Sequence, residues 1–305
     1  MQKHTQFIAG LGVLLTLILA ATTRAQITRY DEEKRLDMEA HADNYTGHAR
    51  DGAPHYRRYC VGCHGDIGDG LGENAQWMEP FKPRNFTLGI FKCRSTPTGT
   101  LPVDDDLFRT LHRGLNTSDM PHWNALTSQF RIDLVAYVKH FSPRFATEKP
   151  GTPITIPPEP EVTADRVKQG QQVYSRVQCW KCHGVTGGGN GPSAPTLVDD
   201  QNNPDPPFDF QTSNRFKCGS TDADFYKILM TGLDGSPMPS WSDNLKPDEA
   251  WDVIFYVRTF QPMNSKEKEI AKQLKLAPLN PDGSMPGGQP VANNEQSSPR
   301  THLRP

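Results

Sequence analysis

Cys60-Val61-Gly62-Cys63-His64 recurs as Cys179-Trp180-Lys181-Cys182-His183. Two thiols three residues apart on a helical turn point to one side, so each can form a thioether to a vinyl group of a haem while the adjacent imidazole reaches the iron. The chain therefore carries the attachment signature of c-type haem twice, through Cys60 and Cys63 with His64, and through Cys179 and Cys182 with His183. A Cys-x-x-Cys pair also suits zinc or dithiol chemistry. A four-thiolate zinc site, however, would join pairs more than a hundred residues apart and give neither histidine a use.

The surroundings of the motif are repeated as well. Phe91-Lys92-Cys93 is matched by Phe216-Lys217-Cys218, and Met120-Pro121 with Trp123 by Met238-Pro239 with Trp241. Met120 lies 56 residues after His64, and Met238 lies 55 after His183. A lone methionine is usually core filler. Two at matching distance, each braced by a following proline, read instead as second axial ligands, since a thioether favours the softer reduced iron.

The 305 residues allow two ordinary domains plus tails. Apolar residues make up only 35% of the chain, thin for self-sufficient cores but suited to small domains wrapped around a prosthetic group. A formal net charge of -2 gives no basis for nucleic-acid binding. The second half is the more acidic, with 9 basic against 13 acidic side chains between 161 and 264.

Residues 1–25 read as a signal peptide: Lys3 and His4, an apolar run from Phe7 to Ala21, then Thr23-Arg24-Ala25 before Gln26. The run is shorter than the roughly 20 residues that span a bilayer, so cleavage and a periplasmic or otherwise extracytoplasmic location are expected. An uncleaved N-terminus is the alternative and the one route to membrane association. Residues 26–48 form a charged extension expected to pack loosely, and 49–142 and 163–264 form the two domains. The proline-rich stretch 143–162 is read as an extended strap. Residues 265–305, rich in Pro, Gly, Asn, Gln and Ser toward the end, are expected to be disordered.

Each domain is expected to run helix, haem loop, long loop, helix. The leading helices are read at Gly52 to Tyr59, started by Pro54, and at Val167 to Val177. The closing helices follow the spacing of Ile132, Val135, Ala136, Val138 and Phe141, and of Trp251, Ile254, Phe255, Val257 and Phe260, with Pro247 in the first turn.

With these motifs in place, residues 49 to 262 resemble the class I c-type cytochromes, specifically an extracytoplasmic di-haem type with two tandem domains. The resemblance implies a mainly α fold of two tandem class I cytochrome c domains, each a few helices and long loops around one covalently bound haem. It implies two haem c groups, with His64 and Met120 on one iron and His183 and Met238 on the other. It also implies that the outer nitrogen of each axial histidine donates to a backbone carbonyl. Pro192 occupies the family's place for that carbonyl in the second copy, and Glu73 stands there in the first. A small residue of the first helix is expected against an aromatic of the last, Gly52 with Tyr137 and Gly170 with Tyr256. Trp123 and Trp241, with Arg84, Lys92, Arg94 and Lys217, are candidates to contact haem carboxylates.

Cys93 and Cys218 are not needed for attachment. Equivalent residues can meet near a pseudo-symmetry axis, so a disulfide between them is the leading reading. Buried free thiols, a partner-directed role, or a thiolate iron ligand remain open. The expected function is single-electron transfer between redox partners of a respiratory chain: a dehydrogenase or molybdoenzyme upstream, a terminal oxidase or reductase downstream. The alternative is a di-haem redox enzyme, either a peroxidase using His112, His122 or His140, or one resembling the thiosulfate dehydrogenases with a Cys93 or Cys218 ligand.

Overall fold

The computed structural model describes residues 35–287. The signal peptide expected at 1–25, the start of the charged extension and the tail beyond 287 lie outside the described residues. In chain order the fold begins with strands β1 (Glu39–Ala42) and β2 (Tyr45–His48). The first domain continues with helices α1 (Ala49–Tyr59), α2 (Val61–His64), α3 (Asp104–Arg113) and α4 (Ser128–His140), and a short α5 (Arg144–Thr147) opens the connector. The second domain holds α6 (Ala164–Arg176), α7 (Trp180–His183), α8 (Asp222–Thr231), α9 (Pro247–Arg258) and α10 (Lys266–Gln273). The architecture is mainly α, as the sequence implies.

Each domain has its own core. Tyr56, Phe91, Leu107, Ile132, Leu134 and Val135 cluster in the first, and Tyr174, Phe216, Leu229, Trp251, Ile254 and Phe255 in the second. The framework of both is the leading helix crossing the closing helix, α1 on α4 and α6 on α9. The crossing is so close that a Cβ at Gly52 would stand 2.1 Å from the Asp133 carbonyl oxygen and 2.8 Å from the Cβ of Tyr137. At Gly170 the corresponding distances are 1.9 Å to the Asp252 oxygen and 2.8 Å to the Cβ of Tyr256. Capping hydroxyls fix where the helices begin: Thr127 accepts from the amide of Phe130 and Thr163 from that of Arg166.

Several expectations are corrected. The extension packs firmly in its second half: β1 and β2 pair with Glu39 opposite His48, Ala40 and Ala42 are buried, and Lys139 Nζ donates to the Glu39 carbonyl. Pro54 does not start α1 but sits inside it. The hairpin delivers the chain to an earlier start at Ala49, whose amide donates to the Met38 carbonyl, and the proline removes one internal hydrogen bond.

The long loops each contain a further helix, α3 and α8. The acidic first turn Asp104-Asp105-Asp106 favours the positive end of α3. Thr221 and Asp224 form a reciprocal capping box that starts α8.

Disorder over 265–305 is overturned for the described part. Ser265 caps α10, Leu279 is buried, and the Ala277 and Gly283 carbonyls accept from Gln171 and Ser175 of α6. This segment covers a flank of α6 and so belongs to the second domain. The strap is extended after α5 and held at both domains: the amides of Gly151 and Ile154 donate to Leu101 and Ser95, while Ile154, Ile156 and Val162 join the second core.

Cys93 and Cys218 are joined by a disulfide with 5.3 Å between their Cα atoms, and they link the two domains. Around it, cations of the first domain meet carboxylates of the second. Arg84 binds Asp200 at 2.9 Å, Lys92 binds Asp205 at 2.9 Å and Arg94 binds Asp234 at 2.7 Å. Arg113 adds a looser contact of 3.5 Å to Asp224. Buried ion pairs contribute little net stability after desolvation but penalise a wrong register.

Two outcomes follow. Gly170→Ala should cost about 2 kcal/mol or more, because backbone has to move to admit the methyl group; an unchanged denaturant midpoint for the second domain would contradict the close crossing. Replacing both Cys93 and Cys218 by Ser should cost about 3 kcal/mol, and alkylation of the intact protein should label neither cysteine until a reductant is added.

Candidate haem sites

The attachment motif continues each leading helix into a tight turn. The amide of His64 donates to the Cys60 carbonyl and that of His183 to the Cys179 carbonyl, both at 2.9 Å, so each histidine stands one turn after its first cysteine. The glycine that follows has positive φ, +77° at Gly65 and +79° at Gly184, and reverses the chain. Its carbonyl is held from below by a buried tyrosine: Tyr56 Oη donates to Gly65 and Tyr174 Oη to Gly184, each at 2.8 Å.

The imidazoles are oriented alike. Nδ1 of His64 lies 3.2 Å from the Arg84 carbonyl oxygen and Nδ1 of His183 lies 3.2 Å from that of Phe208. A carbonyl only accepts, so Nδ1 bears the proton and Nε2 keeps its lone pair. Burial holds the His64 imidazole down to about 4 and lowers that of His183 as well, which keeps both rings neutral. Phe86 stacks on one ring and Phe210 on the other.

The accepting carbonyl is where sequence reasoning fails. Pro192 is not the partner of His183 and does not line its cavity. The amides of its neighbours Gly191 and Ser193 donate to the Cys182 and Lys181 carbonyls. These bonds turn the segment back onto the motif helix and leave the histidine to a loop further along the chain. The separation from His64 to Arg84 is 20 residues and that from His183 to Phe208 is 25, so no constant spacing points to either.

The methionines hang on equivalent loops. The Leu115 amide donates to the Met120 carbonyl and the Leu233 amide to that of Met238. Ser118 Oγ accepts from the Met120 amide and Ser236 Oγ from that of Met238. The Trp123 amide donates to Leu111 of α3 and the Trp241 amide to Leu229 of α8. The added helices therefore carry the Met-Pro-x-Trp turns.

Cys60, Cys63, His64, Met120 and Trp123 line one cavity, about 1290 Å³ of unfilled space measured out to its mouth. Cys179, Cys182, His183, Met238 and Trp241 line a second of about 1050 Å³. Leu107, Leu111, Leu134 and Val135 wall the first, and Phe208, Phe210, Phe216 and Phe225 the second. The two site sets expected from the repeat are thus each brought to one apolar hollow.

The residues fit a haem. Both thiols and the free imidazole nitrogen belong to the same cavity wall, and the buried Nε1 of Trp123 has no hydrogen-bond acceptor in the protein. Among the described residues no three His, Cys, Asp or Glu side chains gather to hold a metal ion, so the zinc alternative lacks a ligand set. His112, His122 and His140 do not line the first cavity.

Arg84, Lys92 and Lys217 reach the cavity walls, whereas Arg94 points into the domain interface and lines neither cavity. Its guanidinium is held instead by Asp234 and by the Thr231 carbonyl.

The family described as cytochrome c oxidase, cbb3-type, subunit III matches residues 47–138 and again 165–257. None of the curated proteins matches the chain. Among solved structures, a chain of the Kuenenia stuttgartiensis reducing HAO-like protein complex Kustc0457/Kustc0458 is similar at 40% identity and a TM-score of 0.67. The similarity covers 69% of this chain and 96% of that one. The two stretches matched by the family take in more than half of the chain and coincide with the two cores, so the protein belongs to that family: it is a class I c-type cytochrome of two tandem cytochrome c domains.

Proposed function

We propose that the protein carries single electrons outside the cytoplasm through two covalently held haem c groups, with His64 and Met120 on one iron and His183 and Met238 on the other. The observation that carries this reading is the placement of each His-Met pair on the wall of one cavity, with both methionine loops pinned by the same three hydrogen bonds. Each group, when bound, supplies a reversible one-electron iron couple.

The chain's own residues orient and enclose it. The Arg84 and Phe208 carbonyls fix the imidazole tautomer, the cysteines tether, the aromatic and aliphatic walls exclude water, and Pro121 and Pro239 stiffen the thioether loops. Met ligation and burial favour the reduced state and hence relatively high potentials. The sulfur-chemistry alternative is disfavoured because Cys93 and Cys218 are joined to each other. The peroxidase alternative is disfavoured because the other first-domain histidines do not line the cavity.

The partners are redox proteins: a dehydrogenase or molybdoenzyme as donor, a terminal oxidase or reductase as acceptor. A chain 40% identical that belongs to a reducing HAO-like protein complex supports a second form of the same role, an electron-transfer subunit seated on a larger oxidoreductase. Residues 1–25 support export and cleavage.

A near-infrared charge-transfer band of Met-ligated ferric haem, quantitating to two per chain, is the expected spectrum; a high-spin or thiolate signal at either site would refute the ligation. Met120→His and Met238→His should each lower the potential of one haem by a substantial part of the roughly 0.8 V that axial ligands span. Trp123→Phe should lower one potential slightly, since the lost indole donor leaves more negative charge near that iron. Potentials equal to wild type in a redox titration would mean that the indole nitrogen does not serve the bound group.

A further inference from the structure

Lys92 and Lys217 hold equivalent positions in the two Phe-Lys-Cys repeats, but the structure does not keep each in its own domain's site. Lys217, of the second domain, lines the first cavity as well as the second, and Lys92, of the first domain, lines the second as well as the first. Phe81 is the third residue common to both walls, and Lys217 Nζ stands 3.5 Å above the centre of its ring. The disulfide that directly follows both lysines in sequence holds this exchange in place.

The two ammonium groups share one carboxylate. Lys92 Nζ lies 2.9 Å from Asp205 Oδ2 and Lys217 Nζ 4.0 Å from Asp205 Oδ1, with all three side chains at most 14% exposed. The other cations lining the first cavity have acceptors of their own: Arg84 is paired with Asp200 and Lys82 with Glu79. Burial, with Lys92 and Arg84 nearby, pushes Lys217 down to about 8 against the pull of Asp205 and Asp199, so these carboxylates do not offset its burial. A buried ammonium on an apolar wall is stable only with an anion beside it. The groups that fit these cavities carry carboxylates.

We propose that Lys92 and Lys217, exchanged across the domain interface, form one cationic bridge for haem carboxylates of both cavities, so that each domain's lysine helps set the potential of the other domain's haem. This rests on the two-haem reading above. A positive charge near an iron disfavours its ferric form, so the bridge raises both potentials, and Asp205 moderates it.

The test is a spectroelectrochemical titration of the full haem-loaded chain. The two midpoints are assigned by which one moves in Met120→His and which in Met238→His. Lys217→Gln should lower the first-domain haem as well as the second, and Lys92→Gln the second as well as the first. Asp205→Asn should shift both upward, a sign that loosened structure does not produce, and Lys217→Arg should restore both. The proposal is overturned if each lysine moves only the haem of its own domain, if neither haem moves, or if Asp205→Asn lowers both. Failure of the two-haem reading is seen separately, as a wrong haem count or ligation signal in the unaltered protein.

Discussion

Everything in each domain depends on one contact, the crossing of the leading helix over the closing helix with no room for a side chain at Gly52 or Gly170. That closeness sets the axis of the leading helix, and the Cys-x-x-Cys-His turn is simply its continuation. Tyr56 and Tyr174, buried at the same crossing, reach from the helix to the glycine after the motif histidine. The position of the imidazole is therefore dictated by helix packing rather than by a flexible loop. The methionine side of the cavity is built more indirectly: a helix inserted in the long loop fixes a Met-Pro-x-Trp turn through backbone bonds. Large cavities walled by apolar side chains lose packing contacts unless filled, so a bound haem would complete each core.

Which features could be read from the sequence follows from how local their causes are. The thioether motif, the Met-Pro positions and the Gly-Tyr pairs repeat at nearly constant intervals, and each is visible twice, which separates it from chance. The helices α3 and α8 also had local signals, the Asp104 to Asp106 run before Gly114 and the Thr221-x-x-Asp224 box before Gly232. Their apolar faces are short, and a reading centred on the haem motifs passes over them. The carbonyl partner of His183 was not legible. A bond between residues 25 apart, across loops that differ in length between the copies, leaves no periodic trace. The hairpin before α1 and the segment after α9 were missed for a related reason. Their composition is polar, and what orders them is backbone pairing and a few buried contacts such as Ala40, Ala42 and Leu279.

The interface between the domains has a charge sense that neither domain shows alone. The first contributes Arg84, Lys92, Arg94 and Arg113, and the second Asp200, Asp205, Asp234 and Asp224. The excess of acidic residues in the second half thus has a structural outlet. Duplication alone would give two identical faces, and like charges brought together by a two-fold axis would repel. Opposite charges across the interface ease that repulsion except at the equivalent Lys92 and Lys217, which share Asp205, and the disulfide joins equivalent cysteines. The energetic gain of the ion pairs is small, but the cost of any other docking, with buried charges left unmatched, is large.

A fixed interface matters for a carrier because passage of an electron between two sites falls steeply with their separation, and separation is what a strap and a staple hold constant. The two cavities share Phe81, Lys92 and Lys217 in their walls, so what separates them there is protein, with an effective dielectric below that of water. In such a medium a charge placed in the shared wall acts on both sites at once. With haem in both cavities, an electron on one would raise the cost of adding the next. Such coupling would suit the proposed electron carrier, because it would widen the range of partner potentials over which one site is reduced and the other is ready to accept.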